Sequence, residues 1–265
     1  MMTLDLVDSH AHLDLPEFAP DFSDVLKRAT ASGVNTIITI GIDIPSSKKA
    51  IELAASYENV YATVGIHPCD SASATDDALL ELARLAASPK VVGIGETGLD
   101  FYHKPYSETD QLKSLRFHLG LALETGLPVV IHNRQADATL IPIVVDWAKA
   151  NTNHPKGVIH CFGGSLEAAE KYIEAGFYIS LGGYVTYPSS RKSQDVYRYI
   201  PLNRLLLETD CPFLPPQSHR GQRNEPLYIV QTAEALAEIR GVPVDELARA
   251  TVENTRRLFG LPERG

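Results

Sequence analysis

Eight short, β-rich apolar runs alternate with helix-period segments along this chain, and that alternation restricts it to folds built on a parallel sheet. The runs fall at 4–9, 35–40, 60–66, 91–96, 128–132, 157–160, 177–181 and 205–208. Between them the spacing predicts helices at 21–31, 46–57, 76–87, 107–125, 136–150, 165–175 and 193–200, with two more at 227–239 and 244–258. In the third segment, for instance, Leu79, Leu82, Ala83 and Ala86 recur at helical spacing. Glycines 33, 126, 176 and 241 each follow a periodic segment, where helices commonly stop. Eight βα units in about 250 residues is the arithmetic of a (β/α)8 TIM-type barrel, whose active sites lie at the C-terminal strand ends. A doubly wound open sheet is the competing architecture, but it would hold its edge strands far apart. The expectation is an α/β barrel forming one domain over residues 1–265.

Several of these runs finish on a metal-ligating side chain. Strand 1 carries His10 and His12, strand 4 ends at Glu96, strands 5 and 6 end at His132 and His160, and strand 8 leads into Asp210. A closed barrel brings all five strand ends to one rim, where imidazoles and carboxylates can share divalent cations. His10 and His12, two apart on a strand, leave the same face. Glu96, in the middle of the set, has one oxygen to offer each of two ions. His132 and His160 would serve a second ion. Asp210 falls beside strand 1 on closure, placed to bind the first ion and to hold or deprotonate a water. Glu96 and Asp210 are thus the candidate catalytic carboxylates. A buried Glu paired to a base, satisfied core histidines and an N-capping Asp are the plainer alternatives.

Around that set, His67, His103, Arg134, Arg220 and Arg223 sit on rim loops with the chemistry to grip a phosphate. His118 within a helix and His154 in a loop at the opposite end read as ordinary. Cys161 and Cys211 directly follow ligand positions, and strand alternation would point them away as packing residues. The longest irregular stretch, 211–224, is a functional or disordered loop.

Net charge is −9, which argues against a broad basic footprint for long duplex nucleic acid. It leaves room for a phosphate held at one point, because bound dications dominate local charge. Three cysteines are too few for a disulfide framework and fit a reducing compartment. The N-terminus has no secretory pattern and no apolar run reaches membrane-spanning length, so a cytoplasmic location is expected, with no membrane partner and no obligate protein partner.

Seven stretches spread over the chain resemble the TatD family of metal-dependent deoxyribonucleases, within the amidohydrolase superfamily. They are Asp-Ser-His-Ala-His-Leu-Asp (8–14), Val-Gly-Ile-His-Pro (64–68), Gly-Glu-Thr-Gly-Leu-Asp-Phe-Tyr (95–102), Val-Ile-His-Asn-Arg (130–134), His-Cys-Phe-Gly-Gly (160–164), Glu-Thr-Asp-Cys-Pro-Phe-Leu (208–214) and Arg-Asn-Glu-Pro (223–226). The resemblance implies a (β/α)8 barrel with two divalent ions. His10, His12, Glu96 and Asp210 would hold the first, and Glu96, His132 and His160 the second. Ala11, Cys69 and Asn133 depart from the common pattern without removing a ligand. Many superfamily relatives bridge their ions with a carboxylated lysine on strand 4. Here that strand offers Glu96, and Lys90 lies before it, which fits the phosphoester-cleaving branch.

The function implied is hydrolysis of DNA phosphodiesters, 3′ to 5′, from single-stranded or frayed ends, by two-metal activation of water. A deacylase acting on an ester such as a mischarged aminoacyl-tRNA is the alternative, since a polarised carbonyl and phosphoryl make similar demands. A non-catalytic barrel is a third reading, which the complete ligand set opposes. Mixed nitrogen and oxygen donors suit Zn²⁺ or Mn²⁺, whereas the family is often described as Mg²⁺-dependent.

Overall fold

The computed structural model describes residues 4–262. Eight parallel strands run in the order of the sequence: β1 (Leu6–Ala11), β2 (Val34–Ile40), β3 (Val60–Val64), β4 (Val91–Asp100), β5 (Val129–Arg134), β6 (Gly157–Ile159), β7 (Tyr178–Leu181) and β8 (Leu205–Leu207). Helices α1 (Phe22–Ala31), α2 (Ile44–Ser56), α3 (Asp76–Ala86), α4 (Glu108–Thr125), α5 (Asp137–Ala150), α6 (Leu166–Glu174) and α7 (Gln194–Tyr199) fill the crossovers. After β8 come α8 (Ile229–Arg240) and α9 (Val244–Phe259). Side chains stop several helices from fraying at the start: Asp43 caps α2, Thr75 α3, Ser107 α4 and Ser165 α6, each accepting a backbone N–H of the first turn.

Period-2 alternation sorts the strand side chains into two cores. Ile37, Val129, Ile131, Ile159, Ile179, Leu205 and Leu207 pack against the helices. The opposite face of these strands and their neighbours gives Ile38, Ile40, Val92, Val130, Val158, Tyr178 and Leu206, which fill the barrel interior together with Leu258 and Phe259 at the end of α9 and Leu261 beyond it. His132 and His160 continue the inward rows of Val130 and Val158, two residues further toward the C-terminal rim.

The seam between β8 and β1 closes at that same rim and relies on polar groups. Asp210 N–H donates to His10 O (2.9 Å) and His12 N–H to Cys211 O (2.8 Å). Ser9 Oγ donates to Leu207 O (2.8 Å). The buried Asp8 carboxylate accepts the Thr209 N–H at 3.0 Å and its hydroxyl at 2.5 Å. Burial pushes the Asp8 carboxyl up to about 7, as expected for an acid whose hydrogen bonds only partly replace water.

Two boundaries differ from the sequence expectation. β1 ends at Ala11, so His10 lies within it and His12 just beyond. β4 does not stop at Glu96 but runs on to Asp100, because Thr97–Asp100 pair in register with Ile131–Arg134. The pairing slips between Ile94 and Thr97, so Glu96 sits at an irregularity in mid-strand, the kind of place that re-aims a side chain. The Gly-Glu-Thr-Gly composition reads as a turn, but its glycines serve close backbone approach. At Gly98 (φ +143°) an added Cβ would lie 1.9 Å from His132 O.

That geometry separates two glycines of similar backbone type. Gly98→Ala is expected to cost about 3 kcal/mol or more, combining a strained φ with a backbone collision. Gly126→Ala, at the end of α4 with φ +73° and open space around it, should cost about 1 kcal/mol. Urea unfolding of both variants measures the difference, and equal losses would contradict the close-approach role of Gly98.

Candidate metal centre

Glu96 lies at the middle of the rim, 2 % exposed, with its two oxygens facing different groups. Oε2 is 3.3 Å from His10 Nε2 and 3.8 Å from His12 Nε2. Asp210 Oδ1 completes that side, 3.6 Å from His10 Nε2 and 3.3 Å from His12 Nε2. Oε1 is 2.9 Å from His132 Nδ1 and 2.8 Å from His160 Nε2. The two halves touch through the His10 and His160 rings, which stack with centroids 4.0 Å apart. All six residues proposed as ligands from the sequence therefore converge.

Each half presents lone-pair nitrogens and carboxylate oxygens toward a common point, the donor set of a divalent cation with mixed N and O ligands. Glu96 is so placed that one carboxylate can serve both halves. These residues fit two cations: His10, His12, Glu96 and Asp210 for one, and Glu96, His132 and His160 for the other.

The electrostatics point the same way. Burial acts to lift the Glu96 pKa, but the charge of His160 and the other imidazoles around it hold it well below the carboxylate range. Burial disfavours the His160 imidazolium, yet Glu96 overrides it and pushes that ring up to about 10. His10, buried beside His160, falls to about 4. Ionised acids at this centre thus call for positive charge, and cation binding exchanges ions for protons on the rings.

Asp100 carries weight that its sequence position did not advertise. Fully buried at the end of β4, its Oδ2 accepts from His132 Nε2 at 3.0 Å. That bond places the proton of the neutral ring on Nε2 and the lone pair on Nδ1, which lies 2.9 Å from Glu96 Oε1 and 3.3 Å from both His67 Nε2 and His160 Nε2. His67 has the opposite arrangement. Its Nδ1 accepts the Cys69 N–H (3.1 Å), so the neutral ring carries its proton on Nε2, which lies 3.4 Å from Glu96 Oε1. Although close enough to count among the ligands, His67 is by this argument a hydrogen-bond donor facing the cavity. Its loop is held from behind by His118, whose Nε2 accepts the Ile66 N–H (3.0 Å) while Nδ1 donates to Ser114 O. Glu208, also buried, accepts the Cys161 N–H (2.7 Å) and the Ser180 hydroxyl, and burial raises its pKa to about 7. It was visible in the Glu-Thr-Asp stretch but had no periodic signal to separate it from a packing residue.

The centre opens into a cavity of about 500 Å³. Ile42, Phe213 and Leu214 make its apolar wall, and His67, His103 and Arg134 its polar one. Arg134 lies over the Tyr102 ring at 4.8 Å. Two expected phosphate contacts are elsewhere. Arg223 is bound by Asp21 and Glu225 and donates to Glu17 O, an ion network that ties the 211–224 segment to α1. Arg220 packs over Tyr187 at 4.6 Å, and neither arginine lines the cavity. The 211–224 segment is anchored by buried Asn224, which donates to Thr209 O and Phe213 O. Cys161 also departs from expectation: β6 ends at Ile159 and φ is +48° at Cys161, so alternation fails and the residue reaches the cavity wall. Burial and nearby acids push its thiol well up, which disfavours a thiolate nucleophile. Cys211 is buried in the seam, as a packing residue should be.

Two measurements check these assignments. Asp100→Asn should lower affinity for the metal of the His132 half by roughly 10- to 100-fold while leaving the fold intact, read by calorimetric titration. His118, held down to about 4 by burial, titrates near 6.5 once unfolded. Its contribution to stability is therefore present above pH 6.5 and lost as pH falls through 4. Wild type should lose about 3 kcal/mol more than His118→Gln over that interval; parallel denaturation curves would contradict the buried neutral ring.

Comparison with known proteins agrees with this fold and with a metal-dependent hydrolase family. Residues 7–260 match the family described as TatD related DNase. The chain is 39 % identical over 254 residues to the uncharacterized metal-dependent hydrolase YabD of Bacillus subtilis, covering 96 % of this chain and 98 % of that one. It is 34 % identical over 266 residues to the 3′-5′ ssDNA/RNA exonuclease TatD of Escherichia fergusonii, covering 97 % and 99 %. The crystal structure of the TatD homologue YjjV from Escherichia coli superposes with a TM-score of 0.92 at 35 % identity, covering 98 % of this chain and 100 % of that one. A rim of imidazoles and acids on a parallel eight-stranded barrel, together with these matches along nearly the whole sequence, makes the chain a member of the TatD family of metal-dependent hydrolases.

Proposed function

We propose that this protein removes nucleotides from the 3′ ends of single-stranded or frayed DNA by hydrolysing phosphodiester bonds. The observation that carries the reading is the division of Glu96, one oxygen toward His10 and His12, the other toward His132 and His160. Residues so divided would hold a pair of cations, an arrangement that would suit a phosphate, whose attacking and leaving oxygens both need stabilisation. Bound divalent ions supply Lewis-acid polarisation of the phosphoryl group and a more acidic water.

The chain's own residues do the rest. Asp210, at the cavity edge, is kept ionised by the hydrogen bond from His12 and the charges of His10 and His12, although burial opposes this. As an ionised carboxylate it can accept the proton of the attacking water. His67 Nε2–H and the Arg134 guanidinium face the space where non-bridging oxygens would lie, one giving a directed hydrogen bond and the other a fixed charge. Ile42, Phe213 and Leu214 offer an apolar wall to a terminal sugar and base. The net charge of −9 favours a strand end fed into this pocket over tracking along a duplex. The name of the Escherichia fergusonii relative supports the direction and strand preference, and admits RNA beside DNA.

The test uses 5′-labelled single-stranded oligonucleotides with Mg²⁺, Mn²⁺ or Zn²⁺, beside an aminoacyl ester. Stepwise shortening from the 3′ end, stopped by chelator, is expected. Asp210→Asn should lower kcat by roughly 10²- to 10⁴-fold, Glu96→Ala should abolish turnover and reduce metal content at both halves, and Arg134→Ala should act mainly on KM. Ester turnover with the oligonucleotide left intact would replace this reading with a deacylase.

A further inference from the structure

One wall of the cavity holds a set of metal-ligating atoms that the two-ion centre does not use. Cys69 follows His67 in the loop after β3, and His103 follows Asp100 in the loop after β4. One ligand atom from each of Cys69, Asp100 and His103 lies within 4.8 Å of the other two. Cys69 and His103 line the cavity, while Asp100 is fully buried behind them. The loop bearing His103 is folded back by Asp100 itself, whose Oδ1 accepts the backbone N–H of Tyr102 (2.9 Å) and of His103 (2.8 Å). The His103 ring is thereby drawn in so that Nδ1 donates to Asp100 Oδ2 at 2.8 Å.

From this arrangement we infer that Cys69, Asp100 and His103 form a third cation site, which takes a thiophilic dication such as Zn²⁺ and leaves one position open to the cavity. Thiolate, imidazole and carboxylate together are a donor set for zinc. Magnesium, which takes oxygen ligands, would pass it by, so the site distinguishes metals that the nitrogen-and-oxygen centre accepts more evenly. Three protein ligands and an open fourth position are the pattern of sites that hold a water or a substrate atom. Asp100 connects the two places, since the oxygen facing His103 also accepts from His132. A cation here would stand one carboxylate away from the His132 half and add positive charge facing the phosphate. That last role rests on the proposed phosphodiesterase reading; the site itself does not.

The proton balance is specific. On binding, the Cys69 thiol gives up its proton to solvent. The His103 proton on Nδ1 is exchanged for one on Nε2, so that its Nδ1 lone pair turns to the metal. The thiol releases one proton for each ion bound. Without a cation the thiol is held up to about 11 by its partial desolvation against the cavity wall and by the charges of Asp100 and Asp70, so it has little reactivity as a nucleophile.

Cadmium is the probe, because its bond to a thiolate gives an ultraviolet charge-transfer band. The full-length protein, first saturated with Mn²⁺, is titrated with Cd²⁺ while absorbance and proton release are followed. No cysteine belongs to the two-ion centre as assigned above, so exchange of Mn²⁺ for Cd²⁺ there leaves this band dark. The expected result is a band that saturates with one equivalent, is lost in Cys69→Ser, is weakened in His103→Ala, and persists in Cys161→Ser. Both tested side chains of the new site are exposed, so their replacement does not threaten folding. Absence of the band in wild type, its survival in Cys69→Ser, or its loss in Cys161→Ser would overturn the site. None of these readouts depends on turnover, so a failed nuclease assay and a missing third site are separate outcomes.

Discussion

A carboxylate taken out of water costs several kcal/mol unless positive charge or hydrogen-bond donors replace the solvent. Glu96 meets this demand in mid-strand, where the slipped pairing of β4 turns it into a ring of imidazoles. Almost every other feature of the rim can be traced to that placement. The inward rows of β5 and β6 bring His132 and His160 to one oxygen, and the β8–β1 seam brings His10 and His12 to the other. Glycine at 65 and 95 lets the neighbouring backbones approach, since an added Cβ at Gly65 would lie 2.4 Å from the carbonyl carbon of Gly95. The acid is therefore a packing problem and a chemical opportunity at one position, and bound divalent cations would answer both.

Tautomers divide the labour among residues of the same type. His132 gives its Nε2–H to Asp100 and keeps an Nδ1 lone pair for a metal. His67 receives a backbone N–H on Nδ1 and keeps a proton on Nε2 for a substrate oxygen or for Glu96. His118 donates from one nitrogen, accepts on the other, and so only holds the loop that carries His67. Among the described residues, Nδ1 of His10, His12 and His160 has no hydrogen-bond partner, the nearest acid to that of His160 being Glu208 Oε1 at 3.8 Å, and packing helps to orient these rings, most visibly in the His10–His160 stack. Proximity alone would group all the rim histidines together; hydrogen-bond direction tells them apart.

This division also marks the limit of what the sequence makes legible. Strand and helix positions follow from hydrophobic period, and the rim ligands stand out because a lone His, Glu or Asp ends an apolar run. Both signals are local. Asp100 was hidden because β4 extends through Gly-Glu-Thr-Gly, a stretch whose composition imitates a turn while its pairing with β5 keeps it extended. Arg220 and Arg223 looked like phosphate contacts because they lie in a loop near the rim, yet partners from distant segments, Tyr187 for one and Asp21 for the other, claim their guanidinium groups. Cys161 escaped the alternation rule when its strand stopped one residue before His160. In each case a contact remote in sequence outweighs the local pattern.

A barrel must close somewhere, and here it closes at the β8–β1 seam with few backbone bonds. β8 has only three residues, and a single isolated bridge, Ala11 to Cys211, joins the two strands near the rim. Asp8 compensates by taking both the N–H and the hydroxyl of Thr209, and Ser9 reaches Leu207. These bonds lie directly beneath His10, His12 and Asp210. A looser closure would let the ligands of one half drift apart, because Asp210 follows the last strand and the two histidines sit at the end of the first. A metal held by both sides would in turn act as a further cross-link at the weakest joint of the barrel. Cation binding and closure are thus coupled by geometry: whatever stabilises one stabilises the other, by the linkage that ties any native-state ligand to folding.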